Sequence, residues 1–402
     1  MSKLIYSSLT ILSRLLAGVF IFYFLALFVS VEDFGRITYF FTLAVILGLL
    51  IDYGYNLKLS RDAVLLKSKI GEIIGSVLVV KTANSLLSFS LVTFASIYYS
   101  LRIEDVIILY LFLIAQFIQS IGFTLYPFLR ADGKYKEETK IALSNNLVVF
   151  LAFIAFVNIQ ELSFYSMALA FISGRIIVLY FFIKSDYFKA AEFKLNGFLK
   201  DYITSFSFFC HAAIGYLYFN LDTILLKEYV SFVEVGKYQA AMKFVLAATF
   251  LGEAITNIAI PKMVREGFAN GKPDRHFHFK FLSQVVVLGI FSSFGFYILT
   301  RYLTTYVLGS EYEVSFTVAA ALSAVVFIRY AGVYFGVLLT VVDKQMVRVI
   351  AGSFALFSLI LSIEILGPTY GLEGVALSSL IAHLVILSIY SLSGAKILSG
   401  KK

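Results

Sequence analysis

Five basic residues lie where a basic side chain is expensive. Arg14, Lys81, Arg175, Lys243 and Arg329 all fall inside long apolar stretches. A basic group at the centre of a membrane helix costs about 2.5–3.5 kcal/mol on insertion scales, so one that is present usually faces a cavity or a partner. Arg offers a planar fork that matches phosphate oxygens, and Lys a point charge. The five are therefore candidate contacts for an anionic group. Arg14, Lys81 and Arg175 also lie close enough to the inner interface to snorkel, and Lys243 has an acid as an alternative partner. Acids in the same stretches are fewer. Glu253, Asp222 and His383 are candidates for binding the protons or sodium ions that drive antiport. Asp52, Glu364 and His211 are also intramembrane, and Asp52 and Asp222 fit capping or pairing as well. Glu253 and Lys243 are ten residues apart on one helix and cannot pair with each other. Gln116, Gln119, Asn145, Asn146, Asn220 and Asn257 add polar positions, more than half of them expected at helix–helix contacts.

The elements that must position these groups are membrane helices. The chain has 402 residues, 60% of them hydrophobic and 14% charged, with a mean hydropathy of +0.89. A soluble domain is about 25% charged. Backbone that meets lipid satisfies its own hydrogen bonds only in helices or closed barrels. The runs 142–157 and 346–363 lack the period-two alternation of barrel strands. About twelve stretches are long enough to cross as helices: 4–29, 37–57, 71–99, 105–129, 139–158, 162–183, 202–226, 238–260, 279–300, 314–341, 346–366 and 372–394. Turn or breaker signals at Asp132-Gly133, Gly271-Lys272-Pro273 and Gly367-Pro368 support several of these limits. The first stretch lacks a cleavage site and is expected to be a retained helix; no soluble domain is expected at either end. Cys210 is the only cysteine, which leaves no intrachain disulfide and no cysteine metal cluster.

Of the 33 Lys and Arg, 23 fall in alternate gaps and at the termini, five in the intervening gaps (Arg36, Arg102, Lys227, Lys237, Arg301), and five within helices. Basic residues stay on the cytoplasmic side, so both termini are expected there. The net charge of +8 then faces anionic headgroups and calls for no nucleic-acid partner. Lys184–Lys200 reads as a short amphipathic interfacial helix, with Phe188, Leu195, Phe198 and Leu199 able to share one face. It divides the chain into an N-terminal six-helix bundle (1–183), a cytoplasmic linker (184–200) and a C-terminal six-helix bundle (201–402). A shift of 201 residues superposes Leu25–Arg36 on Leu226–Lys237, with Leu25/Leu226, Val29/Val230, Ser30/Ser231 and Gly35/Gly236 identical. Each segment is the outer turn after the first helix of a half. Six is even, so the halves share an orientation and form a parallel repeat.

Phe28-Val-Ser-Val-Glu-Asp-Phe-Gly35 and Ile51-Asp-Tyr-Gly-Tyr-Asn-Leu-Lys-Leu-Ser-Arg-Asp62 resemble segments around the second helix of Wzx-type flippases of the polysaccharide-exporter (MOP) superfamily. Asn220-Leu-Asp-Thr-Ile-Leu-Leu226, Val235-Gly-Lys-Tyr238 and Pro261-Lys262 repeat the theme. The resemblance covers the whole chain in length, helix count and polarity, although the motifs mark the superfamily better than the substrate. It implies two six-helix bundles around a central cavity. It also implies ion-coupled transfer of an undecaprenyl-pyrophosphate-linked oligosaccharide from the inner to the outer leaflet of a bacterial plasma membrane, with membrane lipids as surroundings and a glycan polymerase and chain-length regulator as possible partners. A pyrophosphate and glycan cannot cross hydrocarbon unaided; a cavity carrying the five cations could offset the phosphate charge.

Other functions fit less well. A membrane-embedded glycan polymerase usually has a sizeable outer loop with catalytic residues, and every outer gap here is short. No Gly-rich phosphate loop, nucleophile–base pair or metal spacing among His211, His276, His278 and His383 is present, so neither an enzyme nor a cofactor is expected. His276-Phe-His278 reads as a solvated face. A multidrug antiporter should have an acidic cavity, whereas here the intramembrane basic residues slightly outnumber the acids. A lipid II or teichuronic-type exporter is the nearest alternative.

Overall fold

The computed structural model describes residues 2–66, 69–193, 198–269 and 272–399. Lys67, Lys194, Leu195, Asn196, Gly271, Lys401 and Lys402 lie outside it, as do the side chains of Phe198, Leu199, Lys200, Glu253, Asn257 and Pro261.

The chain is helical nearly throughout. The order is α1 (Ser2–Phe28), α2 (Val31–Asp52), α3 (Tyr55–Leu65), α4 (Ile70–Tyr98), α5 (Ile103–Gly122), α6 (Leu125–Ala131), α7 (Tyr135–Val157), α8 (Ser166–Lys184), α9 (Asp186–Lys189), α10 (Phe198–Tyr229), α11 (Phe232–Glu266), α12 (Arg275–Tyr302), α13 (Phe316–Val341) and α14 (Gln345–Leu398). A two-residue hairpin, Phe268–Ala269 against Lys272–Pro273, joins α11 to α12. Among the described residues, ten helical segments are long and apolar enough to cross a membrane. One of them, α14, has 54 residues. At 1.5 Å per residue it is more than twice as long as the roughly 30 Å hydrocarbon core requires. It is broken at Gly371 (φ 51°, ψ −123°), three residues past Pro368, and so supplies two crossings. The 35-residue α11 is long enough for a further one, and the total matches the twelve crossings expected from hydropathy. Large apolar side chains such as Phe94, Ile97, Phe291 and Phe357 point outward, as a lipid-facing surface requires. The chain is a multi-pass, all-α membrane protein.

Two compact units divide within α10, Met1–Tyr216 and Leu217–Lys402. The repeated segment has the same local role in each. Ser30 caps α2 by accepting from the Asp33 amide (3.1 Å). Ser231 caps α11 in a capping box, with the Glu234 carboxylate accepting from the Ser231 amide (3.4 Å). The conserved spacing of hydroxyl and acid thus satisfies helix N-termini that would otherwise be unpaired.

The helix expected over 37–57 stops at Asp52. Tyr53 (φ 49°) and Gly54 (φ 73°) are left-handed and turn the chain into α3. A side chain at Gly54 would meet the backbone of Phe208 and Phe209, so glycine is needed there both for φ and for the close approach of α10. The Tyr53 ring stacks on Tyr202 and Phe209 at 4.1 and 4.9 Å. Asp201 accepts from Tyr55 Oη (3.1 Å), Ser76 Oγ (2.6 Å) and the buried Lys58 ammonium. The Asp52–Lys58 motif is therefore the dock on which the start of α10 sits. Lys58, counted as a loop cation from the sequence, is an internal one.

Within the segment read as an interfacial helix, Lys184 ends α8, Asp186–Lys189 is a separate short helix and residues 198–200 already belong to α10. Ala190–Glu192 instead runs across α4. The Glu192 amide donates to Gly71 O (2.9 Å), and side chains at Gly71 or Gly75 would collide with the carbonyls of Ala190 and Glu192. Backbone contact with α4 replaces the helical hydrogen bonds that this stretch would otherwise make.

Candidate functional site

In the first unit, α4 and α2 bring Lys81 and Asp52 together. Lys81 Nζ lies 3.1 Å from Asp52 Oδ1 and donates to Ser120 O (2.7 Å) and Thr124 Oγ1 (3.1 Å). The Lys81 side chain is completely buried. All three of its ammonium donor directions are used, so this cation is committed to holding α2, α4 and α5 together.

One helix away, Arg175 on α8 is equally internal, with 8% exposure, but differently supplied. Its guanidinium lies over the Phe171 ring at 4.9 Å, and its buried Nη1 has no hydrogen-bond partner among the described residues. Arg175 lines a cavity of about 150 Å³ together with Asp52, Asn56, Gln116, Gln119, Ser120 and Tyr216. A buried donor without an acceptor is costly; the cavity that Arg175 lines is otherwise bounded by the Asp52 carboxylate, the amides of Asn56, Gln116 and Gln119, the hydroxyls of Ser120 and Tyr216, and the apolar Phe41, Val45, Gly48 and Leu49. Neither Lys81 nor Arg14 lines this cavity. Arg14 is 3.8 Å from Glu138 Oε1 and sits over Tyr126 at 4.8 Å, and Glu138 is also gripped by Arg130 at 2.6 and 2.9 Å. Arg14 therefore belongs to a charge cluster where α6 ends and α7 begins.

The second unit has its own cavity, of about 290 Å³, with Arg329, Arg348, Tyr218, Tyr390 and His383 among its walls. The Arg329 guanidinium lies over Phe219 at 5.2 Å. His383 Nδ1 donates to Ser379 O (2.8 Å), because a carbonyl can only accept. His383 Nε2 and Tyr218 Oη are both buried without a hydrogen-bond partner among the described residues, and the two rings are 5.1 Å apart. Two unmatched polar atoms and an arginine thus share one cavity.

The other expected ion-coupling groups are placed differently. Asp222 is buried and accepts from Tyr238 Oη (2.6 Å) and from the Thr223 amide (2.7 Å). Lys243 is close enough for its charge to act on Asp222, so the acid partner allowed for Lys243 is on the neighbouring helix. The Glu253 side chain lies outside the described residues.

Sequence reasoning missed several internal polar groups. Arg36, counted as an outer-gap cation, is buried. It pairs with Asp105 (2.7 Å), Glu104 (3.4 Å) and Asp33 (3.5 Å). The adjacent acids Glu104 and Asp105 at a predicted helix start, opposite a lone arginine, were the available signal. His278 was read as part of a solvated face, and the structure corrects this. It is 4% exposed, with Nε2 at 2.9 Å from Gly267 O and Nδ1 at 3.0 Å from Tyr334 Oη. The fold of the hairpin onto α13 buries it, which local sequence could not reveal. Among the described residues no cluster of His, Cys, Asp or Glu could hold a metal ion.

The sequence model of the family described as "Polysaccharide biosynthesis protein" matches residues 2–266. The chain belongs to this family. The match spans the Asp52–Lys58 motif, the Lys81–Asp52 pair and the residues lining the Arg175 cavity. This family member is also 23% identical over 294 residues to a Shigella dysenteriae protein named "Putative O-antigen transporter", covering 71% of this chain and 72% of that one. Its fold is similar to that of the lipid II flippase MurJ in an inward closed conformation (TM-score 0.73, 18% identity, covering 99% of this chain and 90% of that one). It is also similar to an inward-facing multidrug resistance MATE family transporter of the MOP superfamily (TM-score 0.71, 13% identity, covering 99% and 98%). At these identities the structural likenesses establish the fold alone.

Proposed function

We propose that this member of the family is a flippase. It would move an undecaprenyl-pyrophosphate-linked oligosaccharide, the repeat unit of an O-antigen or capsule, from the cytoplasmic to the outer leaflet of a bacterial plasma membrane. Both termini would then be cytoplasmic, as the distribution of basic residues supports. The reading rests on family membership, on the name of the Shigella relative and on one observation of geometry. That observation is a buried Arg175, with an Nη1 lacking a hydrogen-bond partner among the described residues, lining a cavity together with Asp52, Asn56, Gln116, Gln119, Ser120 and Tyr216. In this proposal Arg175 takes a phosphate oxygen, and the amides and hydroxyls take polar groups next to it. Arg329 is a second anion contact in the cavity of the other unit.

Arg14, Lys81 and Lys243 assist indirectly, by setting the charge balance of the helices that carry these cavities. Coupling to a proton or sodium gradient is assigned to Asp222, His383 and Glu253. His383 supplies an Nε2 able to take a proton within reach of the Arg329 cavity, and Asp222 is a carboxylate held by a tyrosine. Transport would proceed by alternating access, with the lipid tail remaining in the bilayer. Association with a glycan polymerase and chain-length regulator belongs to the same proposal.

The test is deletion of the gene, with mass analysis of undecaprenyl-linked intermediates in each leaflet. Complete repeat units accumulating on the inner leaflet support the reading. Unpolymerised units accumulating on the outer leaflet would point to a polymerase and overturn it.

A further inference from the structure

The junction of α11 and α12 carries a groove of about 210 Å³ that the transport reading does not use. Ile255, Ala259 and Lys262 recur at spacings of four and three along α11. Phe277, Lys280, Phe281 and Gln284 recur at three, one and three along α12. On helices these spacings place each set on one face, and the two faces bound the groove.

The groove is pre-formed. Asp274 Oδ1 accepts from the Phe277 amide (3.0 Å) and so caps α12. The Asp274 amide donates to Gly267 O (2.9 Å), and the same carbonyl receives His278 Nε2 (2.9 Å). Tyr334 Oη holds the other ring nitrogen (3.0 Å). This network fixes the hairpin and with it the angle at which α12 leaves α11.

The chemistry of the groove is two-part. Its floor is apolar, with Ile255, Ala259, Phe277 and Phe281, and its rim carries the exposed ammonium groups of Lys262 and Lys280. The next residue outward on α12, Phe279, is 74% exposed, so the groove borders surface suited to lipid tails. An apolar floor with a basic rim at the end of two membrane helices complements a molecule with acyl chains and a negatively charged headgroup.

We propose that this groove is a binding site for an anionic glycerophospholipid, with Lys262 and Lys280 on the headgroup phosphate and acyl carbons on Phe277 and Phe281. A lipid-linked glycan is a poorer occupant, because among the described residues of the lining Gln284 is the only uncharged polar side chain. The site stands apart from the flippase reading and uses none of its residues, and its test measures binding rather than transport.

The test uses the full-length protein, purified in detergent and stripped of lipid, with phosphatidylglycerol and phosphatidylcholine offered in equal amounts. Native mass spectrometry reads the bound lipid. Wild type should retain phosphatidylglycerol about tenfold over phosphatidylcholine, as two surface cations near one headgroup would produce. The Lys262→Gln/Lys280→Gln variant should bring the ratio close to one, with an unchanged melting temperature in lipid-free detergent. The single Lys280→Gln variant, altered at an exposed side chain, should fall between and serves if the double variant does not fold. No preference in wild type, or the same preference in the variants, overturns the site. Displacement of phosphatidylglycerol by undecaprenyl phosphate at lower concentration would also overturn it, because the groove would then belong to the transported lipid.

Discussion

Lys81 and Arg175 are two buried cations in one unit of one membrane protein, and they are used in opposite ways. Lys81 is enclosed by Asp52, the Ser120 carbonyl and Thr124. Arg175 has a buried Nη1 without a hydrogen-bond partner among the described residues, and the residue lines a cavity. Both are equally improbable from hydropathy. The difference teaches that an intramembrane charge marks a place worth inspecting, while its neighbours on other helices show whether it is committed to the fold.

The comparison breaks most visibly at Asp52. Asp52→Ala leaves the Lys81 ammonium in the core without its counter-ion, and should cost about 3–5 kcal/mol of stability. Thermal unfolding in detergent measures it. Asp52→Ala/Lys81→Met, which removes both charges, should recover most of that loss; a double variant as unstable as the single one would contradict the assignment of Lys81 as a structural partner. Next in size is Asp201→Ala, which strips three donors of their shared acceptor and leaves the Lys58 ammonium buried. A loss of about 1–3 kcal/mol is expected, with faster proteolysis ahead of α10. Wild-type melting and proteolysis would remove the docking role given to the motif. Ser30→Ala and Ser231→Ala should each cost about 1 kcal/mol. Similar losses in the two would support a shared capping role of the repeat, and a loss in one alone would confine it to that half. The smallest effect on stability belongs to Arg175→Ala. Removing a donor that has no partner should leave unfolding within about 0.5 kcal/mol of wild type, against the usual destabilisation of about 1 kcal/mol for a point change.

Architecture was legible because the bilayer imposes it. Long apolar stretches separated by sorted charges gave the all-α class and twelve crossings, and Ser30/Ser231 with Asp33/Glu234 gave the repeat its physical meaning as a cap. Local breaks were less legible. Asp52-Tyr53-Gly54 reads as the tail of a helix by hydropathy, yet the close approach of Phe208 and Phe209, 150 residues away in sequence, demands the left-handed turn. The stretch after Lys189 has an amphipathic pattern, but Gly71 and Gly75 offer it a backbone surface that periodicity cannot register. The intramembrane cations were legible as a set of five and no further. Which of them pair is decided by neighbours on other helices: Asp52 for Lys81, Glu138 for Arg14, Asp222 for Lys243. Arg36 and Lys58 looked like loop charges because their acids are 69 and 143 residues away.

The central claim is that Arg175 is kept buried for an anionic substrate and not for the fold. Its most direct test is complementation of the gene deletion with Arg175→Ala, scored by undecaprenyl-linked repeat units on the inner leaflet and by the melting temperature of the purified variant. The account predicts wild-type melting with at least about a tenfold loss of transfer, the value of one charge-assisted hydrogen bond, and partial rescue by Arg175→Lys. Full transfer by a folded Arg175→Ala protein would contradict it.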